Sequence, residues 1–122
     1  FIRNVLAGED IVMKSPGGQF RSWCYVVDCA AALLPILLKG ENGQAYNSAD
    51  KHANLSIRQL AELIARIGNK RVVMQLPDEA EQRGYNTVSR SVFSVEKIEQ
   101  LGWEVQGTTE EKMARTIQAL RP

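Results

Sequence analysis

The stretch Gln19-Phe20-Arg21-Ser22-Trp23-Cys24-Tyr25-Val26-Val27-Asp28 passes from a glycine turn through an apolar run to a helix start. The run Trp23–Val26 has the length and the aromatic, β-branched character of a strand. The turn Gly17-Gly18 ahead of it is typical of a hairpin connection, so we expect Trp23–Val26 to pair with Ile11–Lys14. Asp28 is a favoured helix N-cap, and a helix is predicted from it to Lys39 and Gly40.

Helix start and stop signals mark further segments. Ser56 and Gln59 form a capping-box pattern. They predict a helix over Ile57–Ile67 that ends at Gly68. Thr108 and Glu111 form a second capping-box pattern, which predicts a last helix that runs to about Leu120. A short helix is predicted from Ser94 to Leu101-Gly102, and Phe1–Leu6 is predicted to be the end of a helix.

Short apolar runs of strand length separate these helices. Besides Trp23–Val26 they are Ile11–Met13, Ala45–Asn47 and Val72–Met74. The alternation of helix and strand indicates an α/β fold, but four short strands are too few for a large doubly wound sheet. We therefore expect residues 1–122 to form a single domain, with a small mixed sheet and surrounding helices.

Composition excludes several classes of protein. The chain has 122 residues, with 15 lysines and arginines against 14 aspartates and glutamates, and a net charge of +1. It therefore lacks the electrostatic footprint of a protein that binds nucleic acid or an anionic membrane. The longest apolar stretch, Ala30–Leu38, is interrupted by Pro35 and is far shorter than the roughly 20 residues that cross a bilayer.

The two cysteines, Cys24 and Cys29, have a spacing that fits neither the zinc-binding nor the redox Cys-x-x-Cys motifs. We expect both to be reduced and buried as small apolar side chains. That use of cysteine predicts a cytoplasmic protein.

Groups suited to acid–base or metal chemistry are few. The single histidine, His52, lies in a polar stretch that is expected to be a solvated loop, and no metal site is expected. The Gly17-Gly18 turn leads into a strand pattern, whereas the glycine loop of a dinucleotide site opens into a helix. Arg21, just after this turn, can either bind a phosphate bidentately or form a surface ion pair.

Residues Gln19–Asp28 resemble the Q-x-R-[DS]-[FYW]-x-[YH]-V-x-D motif of the extended short-chain dehydrogenases, the NAD-dependent nucleotide-sugar epimerases, dehydratases and decarboxylases. Other segments resemble that family's motifs in the same order and cover nearly the whole chain. They are Phe1-Ile2 with Ala7–Ile11 (a helix and a G-x-x-I strand), Gly43–Asn47 (G-x-x-Y-N), Ser56–Ala61 (T-I-x-E-L-A) and Leu101–Trp103 (L-G-W).

The resemblance implies that the chain is the C-terminal, substrate-binding half of such an enzyme. NAD and the catalytic Tyr-x-x-x-Lys would belong to an N-terminal Rossmann half, which is the expected partner of this domain, and the full-length enzyme is a candidate homodimer. None of the three tyrosines is followed by a lysine four residues later, where the chain has Cys29, Asp50 and Ser89. We therefore expect these residues alone neither to bind NAD nor to catalyse.

The resemblance also implies a set of substrate-binding residues. Arg21 corresponds to the arginine that binds the substrate diphosphate. The strand that contains Ile11 and Met13 corresponds to one whose backbone lies beside the nucleotide base, and Asn47 to an asparagine near the ribose or phosphates. The alternative for the Ile11 and Met13 strand is simple strand packing, and the alternative for Asn47 is a turn-forming asparagine. A second diphosphate arginine would be Arg83, with Arg90 as the runner-up.

The function implied is binding of a UDP- or dTDP-sugar in an NAD-dependent isomerase or lyase that catalyses epimerisation, dehydration or decarboxylation. The alternative is a non-catalytic α/β module for interaction or regulation, in which Arg21 forms only a surface ion pair.

Overall fold

The computed structural model describes residues 1–75 and 88–121. The helices within these ranges are α1 (Ile2–Leu6), α2 (Val26–Lys39), α3 (Ile57–Ile67), α4 (Glu96–Glu99) and α5 (Thr109–Ala119). The strands are β1 (Ile11–Met13), β2 (Phe20–Ser22), β3 (Asn54–Ser56), β4 (Val72–Met74) and β5 (Arg90–Ser91). Helices and strands are interspersed along the chain, which confirms the α/β class.

The strands form two small sheets and not one. In the first, β1 pairs in parallel with β4. In the second, β2 is the central strand, antiparallel to β3 and parallel to β5. The second sheet is therefore mixed, as expected, and its central strand carries Arg21.

The predicted hairpin between Ile11–Lys14 and Trp23–Val26 is wrong. The strand lies earlier, at Phe20–Ser22, because the Trp23 amide donates to Ala53 O at 3.2 Å and Tyr25 already serves as the N-cap of α2. The glycine turn does not join two paired strands either. The Gly17 carbonyl accepts from the Arg58 amide at 3.0 Å, so the turn packs against the start of α3 and directs β2 into the other sheet.

The predicted strand Ala45–Asn47 does not form within the described part of the chain. The Ala45 carbonyl accepts from Lys97 Nζ at 3.0 Å, and the Tyr46 hydroxyl accepts from the Glu41 amide at 2.9 Å. Lys97 also lies 4.8 Å from the centroid of the Tyr46 ring. Side-chain contacts therefore hold this segment, where the sequence pattern predicts a ladder.

Two capping boxes are confirmed. Ser56 Oγ accepts from the Gln59 amide, the Gln59 side chain accepts from the Ser56 amide, and α3 ends at Gly68. Thr108 and Glu111 make the same reciprocal pair at the start of α5. These local signals need no distant partner, so the sequence alone is sufficient to place both helices.

Two other predicted caps are displaced. Helix α2 begins at Val26 with Tyr25 as its N-cap, so Asp28 lies inside the first turn and is buried. Helix α4 begins at Glu96 with Val95 as its N-cap and ends at Glu99, ahead of the Leu101-Gly102 turn. Ser94 Oγ still accepts from the Glu96 amide, at 3.4 Å. Asp28 is displaced because its carboxylate binds a distant lysine.

Two apolar clusters form the core. The larger one joins α1, β1, α3 and α5 through buried residues that are Val5, Ile11, Met13, Leu60, Ala61, Ile64, Ala65 and Ile117. The smaller one packs α2 against α4 and the segment after it, through Ala32, Ala49, Val95, Ile98 and Trp103. The Trp103 indole N–H donates to Asp28 O at 3.1 Å and fixes this second cluster to the start of α2.

Helix α2 leaves most of its apolar side chains exposed. The exposed fractions include 65% for Leu33, 62% for Leu34, 80% for Leu37 and 77% for Leu38. Cys29 on the same helix is also exposed, so the prediction that both cysteines are buried is wrong for Cys29, while Cys24 is half-buried. No helix among the described residues has the length and apolar character to cross a membrane.

Candidate substrate-binding site

Arg21 occupies the middle of the three-stranded sheet. Its neighbours across the two ladders are Leu55 on β3 and Ser91 on β5. The residue after Ser22, the last residue of β2, is Trp23, whose indole N–H donates to Leu55 O at 3.2 Å. Contacts on both sides therefore hold the backbone beneath Arg21, so its position does not depend on a free loop.

The Arg21 guanidinium is oriented by carbonyl groups. Nη1 donates to Phe20 O at 2.9 Å and Nη2 donates to Val88 O at 2.8 Å. Within residues 1–75 and 88–121, no carboxylate lies within 4.0 Å of this guanidinium. Two of the five guanidinium N–H groups thus donate to neutral carbonyl oxygens. No anionic side chain of the described residues balances the positive charge of Arg21.

Asn47 is linked to the end of β2 through Phe93 and Ser94, two residues of the segment that leads to α4. Its side-chain amide donates to Ser94 O at 3.2 Å. The neighbouring Phe93 amide donates to Ser22 Oγ at 2.9 Å, and Ser22 directly follows Arg21. Asn47 is exposed. A short series of hydrogen bonds therefore links Asn47 to the strand that carries Arg21.

The side chains of Ile11 and Met13 are buried, with exposed fractions of 0% and 3%. They belong to the larger apolar cluster, so only their backbone is available for binding. The ladder with β4 uses the Ile11 amide, which donates to Arg71 O, and the Met13 carbonyl, which accepts from the Gln75 amide. Because successive residues of a strand direct their backbone groups to opposite edges, the Val12 amide and carbonyl face the edge away from β4.

The structure does not place Arg90 beside Arg21. Arg90 pairs with Phe20 across the β2–β5 ladder, and its guanidinium carbon lies 5.0 Å from the centroid of the Phe20 ring. Phe20 and Arg21 are adjacent on a strand and so point to opposite faces of the sheet. Arg90 therefore shares the face of Phe20. The other predicted arginine, Arg83, lies outside the described residues.

His52 is exposed, as predicted for a solvated loop. Its backbone amide donates to Asp50 Oδ1 at 2.9 Å. Among the residues the structure describes, no three side chains of histidine, cysteine, aspartate or glutamate come together as a metal site would require.

Known proteins match this chain over most of its length. Residues 1–49 match the model of the NAD dependent epimerase/dehydratase family. The dTDP-glucose 4,6-dehydratase 1 of Escherichia coli K12 is 29% identical over 96% of this chain, and the mouse dTDP-D-glucose 4,6-dehydratase is 31% identical over 99% of it. These matches support assignment of the chain to the NAD-dependent epimerase/dehydratase family.

A solved structure of the family shares the fold of this chain. The UDP-glucose 4-epimerase of Thermotoga maritima, crystallised with UDP-glucose, superposes with a TM-score of 0.80 at 26% identity over 98% of this chain and 37% of its own. The chain spans about a third of the length of the curated relatives it matches, 34% for the bacterial dehydratase and 35% for the mouse one.

The NAD cofactor of the family does not fit the glycine turn of this chain. Gly17 is buried, and a Cβ atom placed on it would overlap Met13 Cε and lie 2.9 Å from the Arg58 backbone nitrogen. The turn leads into β2, so it presents no helix N-terminus to a pyrophosphate. The glycine turn is therefore packed against α3 and lacks the helix N-terminus of a dinucleotide loop.

A buried charge cluster beneath the site escaped the sequence analysis. Lys112 Nζ lies 2.7 Å from Asp28 Oδ2 and 2.7 Å from Asp50 Oδ2, and it hydrogen-bonds the Asp50 oxygen. All three residues are buried. A cavity of about 220 Å³ adjoins Lys112 and Asp50 and is also lined by Trp23, Cys24 and Tyr25. The sequence contains one signal for this cluster. Lys112 lies on the face of α5 that points to the core, between Thr109 and Thr116.

Proposed function

We propose that this chain is the substrate-binding part of an NAD-dependent nucleotide-sugar epimerase, dehydratase or decarboxylase, and that Arg21 binds the diphosphate of a UDP- or dTDP-sugar. The observation that carries the proposal is the state of the Arg21 guanidinium. It is anchored on the central strand by two carbonyl groups and has no carboxylate partner in the described part of the chain. A surface ion pair, the alternative for this residue, would need such a partner.

The chemistry of a diphosphate matches what Arg21 offers. A guanidinium presents its N–H groups in a planar fork that two phosphate oxygens can accept, and hydrogen bonds of this charged kind are stronger than neutral ones. The two carbonyl contacts reduce the conformational freedom that Arg21 would lose on binding. Such a preorganised cation favours a doubly charged ligand over a singly charged one.

Asn47 and the edge of β1 that faces away from β4 are the further contacts in this proposal. Asn47 is exposed and linked to Ser22 through residues 93 and 94, which supports a role for its amide near the ribose or phosphates of a nucleotide held at Arg21. The Val12 amide and carbonyl supply a donor and an acceptor suited to a nucleobase edge. In this arrangement Ile11 and Met13 support the strand from the core and do not touch the base.

The catalytic steps belong, in this proposal, to a part of the enzyme outside these residues. The family relatives are about three times as long, and the exposed apolar side chains of α2 form a face suited to packing against such a part. Remote binding of a diphosphate contributes to catalysis because it holds the reacting sugar in place while making no contact with the reacting atoms. The chain alone is expected to be inactive.

Isothermal titration of this chain with UDP, dTDP and UDP-glucuronate at low salt tests the proposal. Wild type should bind a nucleoside diphosphate, and Arg21→Ala should weaken that binding. Arg58→Ala is the matched control, because Arg58 is exposed and already paired with Glu62 at 2.8 Å. Equal binding by wild type and Arg21→Ala would refute the assignment of Arg21 and favour a non-catalytic interaction module.

A further inference from the structure

Cys24 and Cys29 lie on either side of the first turn of α2. Tyr25 is the N-cap and Val26 the first helical residue, so Cys24 is the residue before the cap and Cys29 is the fourth residue of the helix. Side chains at these two positions meet across the start of a helix, where a pair of apolar residues often forms a staple. The spacing that fits no metal or redox motif in the sequence thus corresponds to a contact in space.

The Tyr25 carbonyl oxygen lies close to groups of both cysteines. It lies 3.7 Å from Cys24 Sγ and accepts from the Cys29 backbone amide at 2.9 Å. Cys24 Sγ also lies 3.6 Å from Ser48 Oγ. The Cys24 thiol and the Cys29 backbone amide therefore approach the same carbonyl oxygen at the start of α2.

The two thiols have unequal environments. Cys29 is exposed, while Cys24 is half-buried and lines the cavity beside Lys112. Burial raises the pKa of the Cys24 thiol. The hydrogen bond with Ser48 opposes that rise, and the neighbouring Cys29 thiol and Asp28 carboxylate add to it. In this chain on its own, Cys29 is thus the thiol that a solute reaches first, and Cys24 is the less exposed of the two.

We propose that Cys24 and Cys29 form a reversible oxidation site, at which a peroxide converts the two thiols into an intrachain disulfide. The Cys29 thiol loses its proton, the thiolate attacks one peroxide oxygen, and the O–O bond breaks. Cys29 becomes a sulfenic acid, and the hydroxide that leaves takes up the released proton to form one water. Cys24 then attacks Cys29 Sγ, the S–O bond breaks, and a second water leaves with the proton of the Cys24 thiol. Two thiols and one hydrogen peroxide thus give one disulfide and two waters.

The site adjoins the proposed ligand-binding strand but does not depend on it. Arg21 stands three residues before Cys24, and Asp28 of the buried charge cluster lies between the two cysteines. A disulfide would close the segment that holds the N-cap Tyr25. Oxidation can therefore be measured on this chain whether or not it binds a nucleotide.

Hydrogen peroxide titration of the reduced chain, followed by intact mass and free-thiol measurement, tests the proposal. Both thiols should disappear together, the mass should fall by two hydrogen atoms, and dithiothreitol should restore both values. Peptide mapping without reduction should recover one cross-linked species that joins Cys24 to Cys29.

The single variants Cys24→Ser and Cys29→Ser serve as matched controls. In Cys24→Ser, Cys29 should accumulate as a sulfenic acid that a dimedone probe traps, at a level several-fold above that in wild type. In Cys29→Ser, the half-buried Cys24 should stay reduced at the same peroxide concentration. The proposal is overturned if Cys29 in the wild-type chain goes on to sulfinic acid while Cys24 stays free, or if the only disulfide formed joins two chains.

Discussion

Lys112 Nζ donates a hydrogen bond of 2.7 Å to Asp50 Oδ2, in a position where both side chains are almost completely excluded from solvent. The same ammonium lies 2.7 Å from Asp28 Oδ2, which accepts no hydrogen bond of acceptable angle from the described residues and is balanced by charge alone. One lysine of α5 therefore joins the first turn of α2 to the turn that precedes β3. Asp50 also donates its amide to Trp23 O at 2.8 Å, so this contact reaches the end of β2.

Removal of the Lys112 charge should destabilise the fold strongly. Lys112→Met keeps most of the side-chain volume but leaves two carboxylates buried without a cation. Loss of one partner of a buried ion pair typically costs about 3 to 5 kcal/mol in the free energy of unfolding. Urea unfolding followed by circular dichroism measures it. Lys51→Met, which removes an exposed pair with Glu99, is the control and should have little effect; equal losses in both variants would contradict the role of burial.

The same cluster predicts how stability depends on alkaline pH. Burial on its own would lower the pKa of Lys112, but the carboxylates of Asp28 and Asp50 outweigh burial, and the pKa lies above its ordinary value of 10.5. A pKa that is raised in the folded state gives stabilisation that is complete below the ordinary value and is lost as pH rises through the folded value.

The free energy of unfolding of the wild-type chain should therefore exceed that of Lys112→Met by a constant amount up to pH about 10, and the difference should shrink at higher pH. Urea titrations at a series of pH values from neutral upward measure the difference. A difference that grows above pH 10 would mean that Lys112 does not hold its proton through these contacts.

The capping box of α3 should contribute measurably to stability. Ser56→Ala removes the acceptor of the Gln59 amide, which leaves a backbone N–H of the first turn without its partner. The expected loss is about 1 kcal/mol in the free energy of unfolding. Ser94→Ala is the matched control, since Ser94 Oγ makes only a 3.4 Å contact with the Glu96 amide; a loss in this variant as large as in Ser56→Ala would rule out capping as the cause.

Gly17 should tolerate a methyl group less well than Gly43. Both have a left-handed backbone, with φ of 67° and 76°, so alanine strains both. A Cβ on Gly17 would also overlap Met13 Cε and crowd the Arg58 backbone, whereas nothing lies within 4 Å of that position on Gly43. Gly17→Ala should therefore lose about 1 to 3 kcal/mol more than Gly43→Ala. Equal melting temperatures for the two variants would show that the turn yields to the added methyl.

Elements with local signals could be predicted from the sequence. Helices α3 and α5 carry complete capping boxes, and Ile11–Met13 and Val72–Met74 are β-branched apolar runs that form strands over the predicted residues. Each of these signals lies within a few residues of the element it defines. The family motifs around Arg21 likewise led to the family that the comparisons support.

Elements that depend on distant partners could not be predicted. Strand β2 lies three residues earlier than the apolar run because its pairing with Leu55 and Ser91 decides its position, and β3 and β5 are too short to show a pattern of their own. The buried cluster of Lys112, Asp28 and Asp50 joins three separate segments. No local pattern distinguishes an aspartate that caps a helix from one that binds a lysine more than eighty residues away in the chain.

The most direct test of the central claim compares UDP and UMP on wild type and Arg21→Ala by isothermal titration. If Arg21 holds the diphosphate, the substitution should raise the Kd for UDP roughly ten- to a hundredfold, which corresponds to a charged hydrogen-bond contribution of about 1.5 to 3 kcal/mol. It should change the Kd for UMP much less. An equal rise for both ligands, or no rise for UDP, would contradict the assignment of Arg21 to the diphosphate.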